Sequence, residues 1–226
     1  MLAINNLSKA FKQGERIINV LENLNLNVTG GETVAILGQS GSGKSTLLSI
    51  LAGIEKPDKG TIALQGIELQ NLSEEELTRL RGKRIGIIFQ QFHLLPHLTA
   101  LENVELPLEI NDSPNKEKAL KALKDVGLDH RGDHFPSQLS GGEKQRVAIA
   151  RAMVLDPELL LADEPSGSLD EKTGKAVMDL IFDLTVKKER GLILVTHNKE
   201  LAKRCEKIFS LEGGALHEQT FGKEGS

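Results

Sequence analysis

Residues Gly38-Gln39-Ser40-Gly41-Ser42-Gly43-Lys44-Ser45-Thr46 dictate more of the fold than any other stretch of this chain. They follow the apolar run Thr33–Leu37 and lead into a helix-forming sequence, so they predict strand, tight loop and helix in succession. Glycines at 38, 41 and 43 let the backbone of the loop turn its N–H groups toward one anion at the positive end of that helix. Lys44 then reaches the β- and γ-phosphates of a nucleotide, and the Ser45 hydroxyl is placed for Mg²⁺. A plain Gly/Ser turn would not need the whole pattern between a strand and a helix.

Two further segments belong with this loop. Leu159-Leu160-Leu161-Ala162-Asp163-Glu164 is an apolar strand ending in two carboxylates. Asp163 suits Mg²⁺ through a water molecule, and Glu164 suits the general base that polarises an attacking water. Leu139-Ser140-Gly141-Gly142 opens a strong helical pattern running from Glu143 to Ala152. Taken as residues alone, this start is either an ordinary serine N-cap or a second anion site.

Four near-continuous apolar runs, 33–37, 85–89, 159–162 and 192–196, predict strands covered on both faces in a mainly parallel sheet. Residues 2–28 and 61–69 alternate and are broken by turn-formers, which predicts antiparallel strands beside that core. Ser73 with Glu76, and Thr99 with Glu102, form capping boxes; the first starts a helix to about Arg81, the second a helix that Pro107 limits or bends. Ser113 and Pro114 predict the start of a helix closed by Gly127. The fold class is therefore α/β with a helical lobe over about 90–140, core and antiparallel parts over 1–89 and 141–214, and a loosely held tail from Gly213.

The formal net charge of −4 argues against a nucleic-acid partner. No run approaches the ~20 apolar residues of a spanning helix, and the start has no signal-peptide pattern. The single cysteine, Cys205, reads as an inert helix residue in a reducing compartment. His93/His97 and His130/His134 are each interrupted by Pro96 or Gly132, so neither pair predicts a metal-binding helix face. Lys187–Arg190 reads as a solvated helix end. A GTPase would need an acid where Leu201 follows Asn198-Lys199-Glu200.

With Leu139-Ser140-Gly141-Gly142-Glu143-Lys144-Gln145-Arg146 beside the glycine loop, the chain resembles the ATP-binding cassette (ABC) ATPases over residues 2 to about 214. The resemblance implies one cassette domain that takes ATP and Mg²⁺. It makes Gln90 the Mg²⁺-sensing glutamine between core and lobe, and His197 the switch histidine at the γ-phosphate. Ser168-Leu169-Asp170 matches the loop that touches a partner subunit. Phe11 takes the place of an adenine-stacking aromatic that is usually tyrosine, and Ser166-Gly167-Ser168 replaces a commoner Thr-Gly-Asn. In such enzymes Ser140, Gly141 and Gly142 close over the nucleotide of a second copy, which implies a homodimer. The run Phe89–Val104 is similar to the lipoprotein-release and macrolide-export branch, and within it to exporter ATPases of the YbbA type. That likeness implies an integral membrane permease docking near Gln90, with Phe92, Leu94 and Leu95, and a cytoplasmic protein held at the inner face of the membrane. A soluble ABC ATPase serving a non-transport process is the alternative.

Overall fold

A computed structural model of the chain describes residues 1–219. In chain order the elements are β1 (Leu2–Gln13), β2 (Arg16–Val28), β3 (Thr33–Leu37), α1 (Lys44–Leu51), β4 (Lys59–Leu64), β5 (Ile67–Glu68), α2 (Glu74–Arg84), β6 (Ile85–Ile88) and α3 (Ala100–Ile110). They continue with α4 (Lys116–Asp125), α5 (Gly141–Met153), β7 (Leu159–Asp163), α6 (Glu171–Val186), β8 (Gly191–Thr196), α7 (Lys199–Ala202), β9 (Lys207–Glu212) and β10 (Ala215–Glu218). Contacts divide the chain into two compact units. One is Met1–Leu77 with the chain from Gly191 onward; the other is Thr78–Arg190.

In the first unit, β1 pairs antiparallel with both β2 and β4, and β5 closes the sheet beside β4. Its strands bury alternate residues such as Leu2 and Ile4, or Leu24, Leu26 and Val28, as half-covered antiparallel strands do. A register shift between Ile4 and Leu7 falls on Asn6 at φ 51°, opposite a strand with Asn23 at φ 50°; asparagine tolerates this left-handed backbone. The same unit holds β3 between β8 and β9, all parallel. Every residue of β3 and of β8 is buried, which accounts for their unbroken apolar sequence.

The chain beyond Gly213 does not begin as a loose tail. Ala215–Glu218 pairs antiparallel with β9, and Gly214 O accepts the Glu22 amide at 2.8 Å. The expected tail beyond residue 219 lies outside the described residues. Cys205 sits in a bend after the short α7, not in a helix; burial pushes its thiol up to about 12, so it is inert at neutral pH.

In the second unit β6 and β7 run parallel, with Ile85 opposite Leu159. Helices α3, α4 and α5 pack on one another. The Ser73/Glu76 and Thr99/Glu102 boxes form as expected, although α2 runs on to Arg84. Pro107 lies inside α3 and does not end it, because buried Leu101, Val104 and Leu108 hold the helix through the break. The cap of α4 is Asn115, whose Oδ1 accepts the Lys118 amide at 2.9 Å. Ser113 instead ends α3, its amide donating to Leu108 O. Arg190 is not a solvated helix end: it is 4% exposed and pairs with Asp156, which also binds Lys188. Among the described residues, no helix is long and apolar enough to cross a membrane.

Candidate active site

The first unit carries the glycine loop where strand β3 hands over to helix α1. Gly41 and Gly43 adopt φ 81° and 100°, a backbone that L side chains rarely take. A Cβ on Gly43 would also stand 2.9 Å from Val20 Cγ1 and 3.0 Å from Val20 O. Gly43 is the N-cap of α1, and no side chain caps that helix. A glycine N-cap brings no side-chain oxygen to the helix start, which suits an anion there. The Ser42 hydroxyl is buried without a hydrogen-bond partner, a second donor suited to an anion. Lys44 Nζ donates to Gly38 O and Gln39 O, at 2.8 Å each, which folds the ammonium back over its own loop. Glycine cradle, uncapped helix, orphaned hydroxyl and adjacent ammonium together fit a phosphate chain.

Beside the loop lies a cavity of about 710 Å³ lined by Leu37–Ser42, His197, Lys199, Ser210–Gly213 and Gln219. The structure therefore brings His197, from the end of β8, to the same cavity as Gly38, Gln39, Ser40, Gly41 and Ser42. Phe11 is not on this lining. It is 41% exposed on β1, opposite the exposed Ile18, in the hairpin whose Val20 and Leu21 press on Gly43. Lys199, Glu212 and Gln219 on the lining were not expected from the sequence. No motif marks them, since they arrive through α7, β9 and the end of β10 only once the sheet is assembled.

The second unit gathers the glutamine and the acids. Asp163 ends β7, and Glu164 follows at φ 44°, a strained conformation for a non-glycine residue. The turn is held by the Gly167 amide donating to Glu164 O at 2.9 Å. Ser168 Oγ donates to Gln90 O at 2.9 Å, and a Cβ on Gly167 would stand 2.9 Å from Gln90 Nε2. Gln90 is thus packed against the turn that carries Glu164. Asp170, in the same segment, caps α6 through the Thr173 amide.

Ser140 opens α5 in a full capping box: its amide donates to Glu143 Oε2 at 2.8 Å, and the Glu143 amide donates to Ser140 Oγ at 3.3 Å. The Ser140 amide, then its hydroxyl, hold the Glu143 carboxyl below its usual range, helped by Arg131 and Arg146. Of the two readings the residues left open, the cap is therefore present. Gly141 and Gly142 have no left-handed backbone; a Cβ on Gly142 would meet Thr173 Cγ2 at 2.4 Å, and one on Gly141 would meet Leu169 Cδ2 at 3.2 Å. Two residues further along α5 escaped the sequence argument. Gln145, fully buried, donates to Phe89 O at 3.3 Å, and Arg151 donates to Phe92 O and His93 O. A glutamine before and an arginine after the apolar run Val147–Ala150 were the sign of them.

Residues 21–167 match the family model described as ABC transporter. The chain is 46% identical over 224 residues to the ABC transporter ATP-binding protein YbbA of Escherichia coli strain K12, covering 97% of each. It is 44% identical over 220 residues to the lipoprotein-releasing system ATP-binding protein LolD of Legionella pneumophila strain Paris, covering 96% of this chain and 97% of that one. The ATP-binding cassette MJ0796 of Methanocaldococcus jannaschii, solved as a dimer in a post-hydrolysis state bound to ADP and Pi, superposes with a TM-score of 0.90 at 42% identity. That match covers 97% of this chain and 98% of the other. The chain belongs to the ABC transporter family, as its nucleotide-binding ATPase subunit.

Proposed function

We propose that two copies of this chain close head to tail over two molecules of ATP and that hydrolysis there drives an integral membrane permease. The observation that carries this reading is the likeness to MJ0796, a cassette solved as a dimer with ADP and Pi. Residues Gly38–Thr46 of one copy hold the phosphates, and Ser140, Gly141 and Gly142 of the other complete their surround. Phe11 stacks on the adenine. Lys44 and His197 bear on the γ-phosphate, where positive charge and donors stabilise the charge that spreads in the transition state. Glu164 accepts the proton of the attacking water as its oxygen bonds to phosphorus and the bond to ADP breaks.

Ser45, Asp163 through a water, and Gln90 are hard oxygen donors of the kind that Mg²⁺ takes. When bound, Mg²⁺ would neutralise charge on the phosphate oxygens. The permease docks at the helical lobe beside Gln90, with Phe92, Leu94 and Leu95 at the contact. This places the cassette at the inner face of the membrane through its partner. The resemblance to LolD supports a permease of the lipoprotein-release or export type.

The test is a membrane pull-down with tagged Glu164→Gln held with Mg-ATP, read by mass spectrometry. Recovery of one multi-spanning permease is expected. Soluble partners alone, with nucleotide still bound, would overturn the permease assignment.

A further inference from the structure

We infer that Arg151 is a positioning residue for Gln90, acting by holding the two strained residues that follow it. Phe92 and His93 both adopt left-handed backbone, at φ 53° and 49°. Each such non-glycine residue is strained, so the pair needs a restraint from outside the loop. Arg151 supplies one. Its two terminal nitrogens donate to the carbonyls of these two residues, Phe92 and His93. A planar guanidinium can hold both carbonyls at once, where an ammonium has no fixed fork.

The guanidinium also does little else. Among the described residues no carboxylate pairs with it, and burial lowers its tendency to stay charged. A half-buried cation held by carbonyls alone is an expensive way to stabilise a helix, and it is understandable as a way to fix a loop.

The same helix grips the other side of the loop as well. Gln145 Nε2 donates to Phe89 O, so α5 holds carbonyls on both flanks of Gln90. Gln90 itself meets the turn after Glu164, through Ser168 at its carbonyl and Gly167 at its side chain. Losing Arg151 would let residues 92 and 93 relax toward ordinary backbone and swing Gln90 away from that turn. Ser140 caps α5, so one helix joins Ser140 to the placement of Gln90.

The inference rests on Gln90 acting in the catalytic step, so Gln90→Ala belongs in the same experiment. Steady-state ATPase assays on Arg151→Met, Gln90→Ala and the double variant should show kcat about tenfold down for each single change, with the KM for ATP within about twofold. The double variant should be no slower than Gln90→Ala, because Arg151 acts through Gln90. A merely structural arginine would lower the apparent kcat in step with the fraction of protein that folds, leave KM unchanged, and add to Gln90→Ala. Arg151→Lys, which keeps the charge and one donor, should melt near the wild type and give an intermediate kcat; it carries the same cycle if Arg151→Met does not fold. Wild-type kcat in the Arg151 variants, or additive loss in the double variant, overturns the inference alone. Full turnover in Gln90→Ala overturns the catalytic role of Gln90 and the inference with it.

Discussion

The chain uses glycine at two helix starts for two different physical reasons. In Gly38–Thr46 the requirement is conformational: Gly41 and Gly43 stand at φ 81° and 100°, and the helix they start is uncapped. In Ser140–Gly142 the backbone is an ordinary capped helix start, and the requirement is room, since Gly142 faces Thr173 Cγ2. The first segment is a cradle suited to an anion. The second is already satisfied by Ser140 and Glu143 and is stable without a ligand.

The largest effect should come from Gly43→Ala. Left-handed strain of about 1–2 kcal/mol adds to the approach of Val20, and the loop amides lose their aim. Nucleotide binding, followed by fluorescence of a labelled ATP, should fall at least ~100-fold, about 2.7 kcal/mol or more. Val20→Ala should not rescue it, because the backbone strain stays. Rescue by Val20→Ala would show that room, not conformation, was the need.

Gly142→Ala should instead be a packing defect of about 1–3 kcal/mol, read as a lower melting temperature. Combining it with Thr173→Ser, which removes the clashing methyl, should restore most of that loss. Failure of the rescue would place the defect elsewhere.

A smaller effect concerns pH. The folded Glu143 carboxyl lies below its usual value of 4.5, so its contribution is fully present above that pH and is lost as pH falls through the lowered folded value. Glu143→Gln should therefore lower stability in the neutral region, where that contribution is present, and flatten part of the acid limb, since less is left to lose as pH falls. An unchanged acid limb would remove Glu143 from the account. Smallest of all, Cys205 should resist a thiol reagent at pH 8 until the protein unfolds, since its thiol sits near 12.

The conformational use of glycine was legible in the sequence, because the pattern from Gly38 to Ser45 is local and sits between strand and helix signals. The steric use was not. Nothing near Gly142 in sequence announces Thr173, which arrives from the next helix. The same distinction runs through the fold. The capping boxes at Ser73 and Thr99 and the buried strands β3 and β8 were visible because their partners are neighbours in sequence or in period. The ion pair of Arg190 with Asp156, the strand β10 and the grip of Arg151 on Phe92 depend on partners brought in by tertiary packing, and no fixed offset along the chain points to them. Likewise Asn115 displaced Ser113 as the cap of α4 because Ser113 was already engaged with Leu108.

Completion of each nucleotide site by Ser140 of a second copy is the central claim, and light scattering on Glu164→Gln tests it most directly. With saturating Mg-ATP this variant should shift from monomer mass to dimer mass, and Ser140→Arg added to it should abolish the shift while labelled nucleotide still binds. A Glu164→Gln protein that stays monomeric with nucleotide bound would contradict the account.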